Sequence, residues 1–340
     1  MRAAAFTELV GPDGVDIVER SRPDPGPTEA VVDVAACSIN HHDLWILNGD
    51  SAMIDPADLP FVTGLDVAGV VSEVGAAVTG VDPGDRVLLC PIETCGSCRF
   101  CQEGPENLCE SFSLYHGGLA EAACVEADRL ITVPEAVDLT TAATLPTAYL
   151  TAYHMLRRAD LDPGDLLFVP GATGGVGVAA TQLAAIQGVR TIGTSSSPAK
   201  LDRLTDLGAD HVIEGTDPEW LSDAVEDIGD PDAVINHLGG AYTGLGLDVM
   251  ARGGRMVVCG RTAGPTSDID IATLFREHHR IIGSTMGTQH DLERLVDLVA
   301  AGDLSPVIDR TYPLSETDDA FSAMAERDAL GKLVVTVGDD

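Results

Sequence analysis

Lysine is almost missing from this chain, and positive charge of any kind is scarce. Lys200 and Lys332 are the only lysines among 20 basic residues, which face 54 acidic residues and leave a formal charge of −34 over 340 residues. Proteins that bind nucleic acid or an anionic membrane need a basic surface. The composition therefore argues against both kinds of partner.

Aromatic residues are also few, at 4%, but hydrophobic residues as a whole make up 45% of the chain. Disorder requires low hydrophobicity as well as high charge, so we expect a folded protein with a sizeable core. In molar salt the Debye length falls to about 3 Å, and most repulsion among the acidic residues is screened. The acidic, lysine-poor composition thus predicts a protein of a salt-rich cytosol, of the haloarchaeal kind.

Hydrophobic runs that would serve as a signal peptide or a membrane span are lacking. The short apolar run at the N-terminus ends by Glu8, which is not the pattern of a signal peptide. Residues 166–189 carry no charge over 24 positions, but they include Pro170 and five glycines. A transmembrane helix is predominantly apolar over such a length, so we expect a turn here and a cytoplasmic protein.

The pattern of apolar residues changes near residue 140. Before that point, short strand-like segments alternate with turns such as Asp82-Pro83-Gly84-Asp85. After it, buried strands such as 166–169, 233–235 and 255–258 alternate with helical segments. Alternating strands and helices predict an α/β fold with a doubly wound parallel sheet.

A glycine-rich turn follows the predicted strand 166–169 and leads into a predicted helix. Its sequence is Pro170-Gly171-Ala172-Thr173-Gly174-Gly175-Val176-Gly177. Glycines in this context permit a tight turn and close approach to a pyrophosphate, which the free N–H groups of the helix N-terminus stabilise. The turn predicts a dinucleotide site.

The next strand indicates which dinucleotide binds. An NAD enzyme usually carries Asp or Glu about 20 residues on, where it bonds the ribose 2′-hydroxyl. This chain has Ser195, Ser196 and, close by, Lys200. Hydroxyls and an ammonium suit a 2′-phosphate, so we predict NADP(H) in preference to NAD(H).

Half of the eight cysteines fall within 15 residues, in the spacing C-x2-C-x2-C-x7-C formed by Cys95, Cys98, Cys101 and Cys109. Four thiolates on one loop suit a closed, tetrahedral structural zinc site. The rival iron–sulfur run ends in C-x3-C-P, whereas the last gap here is seven residues. We predict one zinc per chain that stabilises the fold.

Together these motifs resemble the medium-chain dehydrogenase/reductase superfamily along essentially the whole chain. Further matching segments are Gly64-Leu65-Asp66-Val67-Ala68-Gly69 and the closing Gly331-Lys332-Leu333-Val334. The resemblance implies a GroES-like β-rich catalytic domain of residues 1–140 and 287–340, with the zinc loop at 90–110. It also implies an inserted Rossmann domain of residues 141–286 and hydride transfer between a nicotinamide and a small-molecule substrate.

The sequence departs from the alcohol dehydrogenases of this superfamily at their second, catalytic zinc. Cys37 matches one ligand, but Leu65 replaces the histidine of the usual Gly-His-Glu, and Thr147 stands at the later ligand. A catalytic zinc normally needs three protein ligands. We therefore predict that the second zinc is absent; the alternative is an atypical site of Cys37, His42 and Asp66.

The segment Ser38-Ile39-Asn40-His41-His42-Asp43 resembles the S-x-N-x-x-D segment of zinc-free quinone and enoyl reductases. His42 is the first candidate for a proton donor, Asn40 would orient substrate or cofactor, and Asp43 completes the catalytic set. His116 is a weaker candidate for the cleft. The predicted cofactor contacts are Gly171, Thr173, Gly174, Gly175, Val176, Gly177, Ser195, Ser196, Lys200, Asn236 and Ser284.

Three functional hypotheses follow. The leading one is an NADPH-dependent reductase of quinones or α,β-unsaturated carbonyls with one structural zinc. The second is a zinc-dependent alcohol dehydrogenase with the atypical ligands, and the third is a non-enzymatic NADPH-binding redox sensor. The resemblance also implies a homodimer or homotetramer.

Overall fold

The computed structural model describes residues 1–51 and 54–338, and it forms two compact units. One consists of Met1–Thr147 together with Thr288–Asp340, and the other of Ala148–Gly287. The chain enters the second unit seven residues later than the predicted boundary at 140, because residues up to Thr147 still bond within the first unit.

The strands are β1 (Arg2–Phe6), β2 (Val15–Glu19), β3 (Glu29–Ser38), β4 (Asp66–Val74), β5 (Arg86–Leu89), β6 (Ile92–Glu93), β7 (Ser113–Leu114), β8 (Ala122–Glu126), β9 (Leu130–Thr132), β10 (Leu166–Val169), β11 (Arg190–Ser195), β12 (His211–Glu214), β13 (Ala233–Asn236), β14 (Arg255–Val258), β15 (Arg280–Gly283), β16 (Ile308–Pro313) and β17 (Lys332–Thr336). The α-helices are α1 (His41–Leu47), α2 (Arg99–Glu103), α3 (Leu139–Ala142), α4 (Leu150–Ala159), α5 (Gly175–Ile186), α6 (Pro198–Asp206), α7 (Pro218–Glu226), α8 (Ala241–Val249), α9 (Ile271–Arg276), α10 (Gln289–Ala301) and α11 (Thr317–Ala325).

A mixed sheet forms the centre of the first unit, in the order β16-β17-β3-β4-β5-β9, with β8 also paired to β3. β3 is ten residues long and pairs with β17, β4 and β8. Its apolar side chains pack with those of β1 and α11 in one core, which includes Phe6, Val32 and Phe321. The ends of β17, β3 and β4 are thereby held side by side.

The second unit confirms the predicted doubly wound parallel sheet. Its strand order is β12-β11-β10-β13-β14-β15, and every neighbouring pair is parallel. The strand order reverses direction between β10 and β13, and in such folds a dinucleotide binds outside the carboxyl ends of the strands at that point. The core around Phe168, Ile192, Val234 and Met256 lies on this sheet.

Proline and glycine interrupt two segments as their sequences predict. The helical pattern over 141–158 is broken into α3, a π-helical turn Leu145–Tyr149 that contains Pro146, and α4. The uncharged segment 166–189 divides into β10, the glycine turn and α5. In the described residues, no helix is long and apolar enough to cross a membrane.

One strand was not visible in the apolar pattern. β16 is largely exposed or half-buried, so it does not show the continuous apolar run of a buried strand. It pairs with β17, which in turn pairs with β3 from the other end of the chain.

We predict that a side chain added at Gly177, in the glycine turn, destabilises the second unit. A Cβ there would lie 2.6 Å from the Ala172 Cα and 2.7 Å from the Gly171 carbonyl oxygen, and backbone atoms cannot give way cheaply. Gly177→Ala should lower the free energy of unfolding by about 1–3 kcal/mol. Gly244→Ala is the control, because a Cβ in that part of α8 meets nothing within 4 Å and should stabilise by about 0.5–1 kcal/mol. Denaturant unfolding in molar KCl measures both; equal effects of the two changes would contradict the packing argument.

Candidate functional site

The glycine turn has the geometry that a pyrophosphate requires. Gly171 takes φ of +66°, and its N–H donates to the Thr194 hydroxyl at 2.9 Å. Gly174 is the N-cap of α5 and has no side chain that could cap the helix. The first N–H groups of α5 therefore stay available to a ligand. Gly177 allows α5 to approach the turn closely. The predicted glycine residues thus form a cradle with a positive helix end.

Ser195, Ser196 and Lys200 lie at or just after the end of β11, at the same edge of the sheet as the glycine turn. Ser195 is buried, and its hydroxyl accepts a hydrogen bond from the Ser197 N–H at 3.1 Å. Ser196 is exposed, and Lys200 lies in the first turn of α6. No carboxylate stands among residues 194–200, and on the neighbouring strand Glu214 pairs in register with Ser195.

Asn236 is the last residue of β13, and Ser284 follows β15. Their side chains differ in whether they can still bond a ligand. The Asn236 side chain accepts hydrogen bonds from the N–H groups of Leu238 and Gly239 and donates to Thr243. It shapes the turn after β13, and a cofactor contact there would come from that turn. Ser284 Oγ is buried and has no partner among residues 1–51 and 54–338, as expected of a group that bonds a ligand.

The four predicted zinc ligands do converge. The sulfurs of Cys95, Cys98, Cys101 and Cys109 all lie within 4.8 Å of one another, with Cys98–Cys101 at 3.5 Å and Cys95–Cys101 at 3.9 Å. Zinc–sulfur bonds of about 2.3 Å in a tetrahedron place sulfurs about 3.8 Å apart. Backbone N–H groups of Ser97 and Cys98 lower the pKa of Cys95 to about 6, which favours the thiolate that a metal binds. The donor set fits a structural zinc.

Glu106 lies within the cysteine loop. It connects that loop by a hydrogen bond to the start of α10, where the chain returns to the first unit. Its carboxylate accepts from the Gln289 N–H at 2.8 Å, at the start of α10, and from Arg129 at 3.2 Å. Arg129 in turn donates to the buried Cys90 sulfur at 3.3 Å. A carboxylate at a helix N-terminus bonds a free N–H and complements the helix dipole. The metal loop therefore caps α10 from outside the helix.

Asp66 lies at the centre of a cluster of hydrogen-bonded side chains in the first unit. This polar cluster also includes Ser38, Asn40, Thr147 and Lys332. It is fully buried. One oxygen accepts from the Thr147 hydroxyl at 2.6 Å, and the other accepts from Ser38 at 2.6 Å and the Asn40 amide at 2.9 Å. The Lys332 ammonium lies 3.4 Å away and is itself only 3% exposed. Four donors thus surround this carboxylate.

Lys332 also determines the orientation of Asn40. Its ammonium donates to the Asn40 side-chain oxygen at 2.6 Å and to the Ile39 carbonyl at 2.8 Å. Both ends of the Asn40 amide are therefore bonded within the protein, since its NH2 group donates to Asp66. The geometry makes Asn40 a residue that positions others, rather than one with a free group to offer a substrate.

The alternative zinc ligands Cys37, His42 and Asp66 are not brought together. Among residues 1–51 and 54–338, the only group of three or more potential ligands within mutual reach is the cysteine loop. Asp66 faces an ammonium and hydroxyl donors, an arrangement that already neutralises it. Burial, together with the carboxylates of Asp66 and Asp43, raises the pKa of Cys37.

The rings of His42 and His116 lie together, which neither position in the sequence predicts by itself. Their rings stack with centroids 5.3 Å apart and an angle of 21° between planes. Asp43 lies in the first turn of α1, where its carboxylate accepts the Asn40 N–H at 2.9 Å as part of a capping box. The predicted trio Asn40, His42 and Asp43 is thus clustered, with His116 beside it.

Sequence reasoning missed Lys332 and Thr63. A signal existed for Lys332, because it is one of two lysines and is followed by a buried strand. Thr63 offered none, because a threonine before a strand is common and only the fold places its hydroxyl between Asp43 and His116.

Comparisons with known proteins agree with this arrangement. A sequence profile for the alcohol dehydrogenase GroES-like domain matches residues 26–135, and one for zinc-binding dehydrogenases matches residues 175–301. An acryloyl-coenzyme A reductase of Metallosphaera sedula is 31% identical over 95% of this chain and 96% of its own length.

Two solved structures share the fold over nearly the whole chain. A NAD-dependent alcohol dehydrogenase has a TM-score of 0.91 and 34% identity, covering 99% of this chain and all of its own. The 2-octenoyl-CoA carboxylase reductase CinF, in complex with NADP and 2-octenoyl-CoA, has a TM-score of 0.89 and 26% identity, covering 99% of this chain and 87% of its own.

The β-rich unit with a four-cysteine loop and the parallel-sheet unit with a glycine cradle define a nicotinamide-type oxidoreductase. The chain belongs to the medium-chain dehydrogenase/reductase superfamily, with a GroES-like domain and a Rossmann-type domain.

We predict that metal in the cysteine loop controls the order of α10 through Glu106. Chelation of the metal should increase amide exchange at the start of α10 in the wild type by about tenfold, the loss expected for a hydrogen bond to a charged group. Glu106→Ala should show that increase with metal present and little more on chelation. Hydrogen–deuterium exchange of peptides covering 286–296 measures this.

Glu103→Ala is the matched control for this experiment, because Glu103 is an exposed acid of the same loop. It should behave like the wild type. Equal exchange in the metal-loaded and chelated wild type would show that the loop and α10 are independent.

Proposed function

We propose that the protein is an NADPH-dependent reductase of quinones or α,β-unsaturated carbonyl compounds, with one structural zinc. The observation that carries the proposal is the state of Asp66. Its carboxylate is bonded by two hydroxyls, an amide and the Lys332 ammonium, where the alcohol dehydrogenase pattern would support a catalytic metal. A site without a Lewis acid suits substrates whose double bond is already activated by conjugation.

The chemistry divides between the bound cofactor and the protein. NADPH, held at the glycine turn and the N-terminus of α5, would supply the hydride for the electron-poor carbon of the substrate. The protein's task is to deliver one proton to the carbon or oxygen that receives the electron pair. His42 is the proposed donor, since an imidazole is the side chain that most readily exchanges a proton near neutral pH. Buried Asp43 follows it directly, and His42 lowers the pKa of Asp43 against the larger effect of burial.

The preference for NADP(H) is supported by the strand end after β11. Ser195, Ser196 and Lys200 present hydroxyls and an ammonium where a NAD enzyme usually carries a carboxylate. Of the two similar structures, one contains NADP and the other is described as NAD-dependent, so relatives with either cofactor exist. The local charge of this chain favours the phosphate.

A working environment of molar salt belongs to the same proposal. The net charge of −34 and the two lysines support it, because screening in such a medium removes most self-repulsion. Assembly into homodimers or homotetramers, implied by the family resemblance, also remains a prediction.

A zinc-dependent alcohol dehydrogenase is the second candidate, favoured by the alcohol dehydrogenases among the similar proteins. It requires a second zinc, and the cysteine loop provides only one four-ligand site in the described residues. Metal stoichiometry therefore separates the two: one zinc per chain supports the reductase, and two support the dehydrogenase.

Activity should depend on His42. With NADPH in molar KCl, we expect turnover of an enone or quinone panel in preference to oxidation of alcohols with NADP+. His42→Gln should lower kcat by about a hundredfold or more, the usual contribution of a general acid, while leaving NADPH binding intact. His290→Gln is the control, because the His290 side chain is 73% exposed on α10. Alcohol oxidation that exceeds enone reduction, with two zincs per chain, would overturn the proposal.

Cofactor preference should reverse on introduction of a negative charge after β11. Ser196→Asp should raise the KM for NADPH and lower the KM for NADH, because a carboxylate repels the 2′-phosphate and bonds a 2′-hydroxyl. His211→Glu serves as control, because the exposed His211 begins β12 and so places the new charge at the opposite end of the parallel strands. Steady-state kinetics with both cofactors give the ratio. A wild type that uses NADH as well as NADPH would contradict the predicted preference at once.

A further inference from the structure

His116 is held in place by hydrogen bonds of the backbone that follows it. The N–H groups of Gly117 and Leu119 donate to the Thr63 carbonyl at 3.3 and 3.0 Å, and that of Gly118 donates to the Gly64 carbonyl at 2.9 Å. A side chain at Gly118 would lie 2.5 Å from Val67 and 2.8 Å from the Gly64 oxygen. The segment therefore lies closely on residues 63–64, and His116 faces the Thr63 side chain.

The direction of the hydrogen bonds at Thr63 determines the tautomer of His116. The Thr63 hydroxyl has one hydrogen, which it donates to the buried Asp43 carboxylate. Burial raises the pKa of Asp43, whereas His42, the Thr63 hydroxyl and the Asn40 N–H lower it. Both oxygens receive a donor, Thr63 on one and Asn40 on the other, which is the bonding of an ionised carboxylate, and such a group can only accept. The contact of 3.2 Å between Thr63 Oγ1 and His116 Nδ1 must then be a bond donated by His116. The proton of the neutral ring lies on Nδ1, and Nε2 carries a lone pair.

That lone pair has no partner in the protein. His116 Nε2 is buried, as is His42 Nε2, and neither bonds another protein group in the described residues. Burial, with a smaller contribution from His42, lowers the pKa of His116 to about 4. The ring is therefore neutral at working pH, and its Nε2 can accept a hydrogen bond but cannot donate one.

We propose that His116 is a specificity-determining residue, whose Nε2 accepts a hydrogen bond from a hydroxyl or amide N–H group of the substrate. This rests on the proposed reductase function and extends it. Stacking against His42 places this acceptor next to the proposed proton donor, so the two histidines have different roles. His42 gives a proton to the reacting group, and His116 recognises a neighbouring donor.

The consequence is discrimination against substrates without such a donor. An acceptor left unpaired in a buried site loses the full value of its hydrogen bond, and the effect on binding is about tenfold to a hundredfold. A plain apolar side chain at this position would give the opposite preference. The substrate class is thus a conjugated carbonyl compound that carries a hydroxyl or amide near the reacting carbons.

The tautomer is tested first, by long-range ¹H–¹⁵N correlation spectra of ¹⁵N-histidine-labelled protein in molar KCl. We expect His116 to show a protonated Nδ1 and a bare Nε2, in the wild type and in Thr63→Ser. In Thr63→Val the two tautomers should mix. A protonated Nε2 in the wild type overturns the inference, whatever the activity, and does not depend on the proposed reaction.

Specificity is tested with matched enones in which a hydroxyl replaces a methyl group, such as 1-hydroxybut-3-en-2-one against pent-1-en-3-one, and homologues with the hydroxyl one or two carbons further along. At least one pair should show a kcat/KM ratio of about ten or more. His116→Phe, which keeps a stacking ring, should reduce that ratio to near one, and His116→Gln, which keeps an acceptor, should restore part of it.

The two proposals fail in different ways. If no enone or quinone is reduced, the reductase function fails, while the spectra still decide the tautomer. If enones are reduced but no pair shows a preference that depends on His116, only the role of His116 is overturned. His290→Gln, the exposed control, should leave the ratio unchanged.

Discussion

The buried pair of Asp66 and Lys332 is the interaction on which the polar cluster of the first unit depends. Removing either charge would leave the other buried without a counterion, which typically costs 3–5 kcal/mol. The pair also fixes the Asn40 amide, since Lys332 bonds its oxygen and Asp66 its nitrogen. Asn40 in turn begins α1, which carries His42 and Asp43. The orientation of the candidate proton donor therefore depends on an ion pair that makes no direct contact with it.

Much of the second unit followed from local sequence. Strands such as β10, β13 and β14 are short apolar runs buried on both faces, and the glycine turn joins β10 to α5 in a spacing that permits little else. The cysteine loop was equally readable, because all four ligands lie within 15 residues. In each case the residues that cooperate are neighbours in the chain.

The candidate active site was only partly readable, for the opposite reason. Asp66, Asn40, Thr147 and Lys332 are brought together by the pairing of β17, β3 and β4 and by the turn at 145–149, none of which a single sequence reveals. Asn40 was expected to orient substrate or cofactor, and the bonds that the fold makes to both ends of its amide could not be foreseen. The partner of a buried polar group is decided by strand register, and a register cannot be deduced from composition or spacing.

The position of Lys332 near the end of the chain has a consequence for synthesis. The ribosome must translate 266 further residues after Asp66 before the ammonium that neutralises it exists. Until β17 pairs with β3, the carboxylate cannot be buried without the cost of an unpaired charge. The first unit thus cannot complete its polar cluster during elongation, even though β3, β4 and β8 are already available. Assembly of the candidate site is therefore a late event, and a chain that lacks β17 holds an incomplete site.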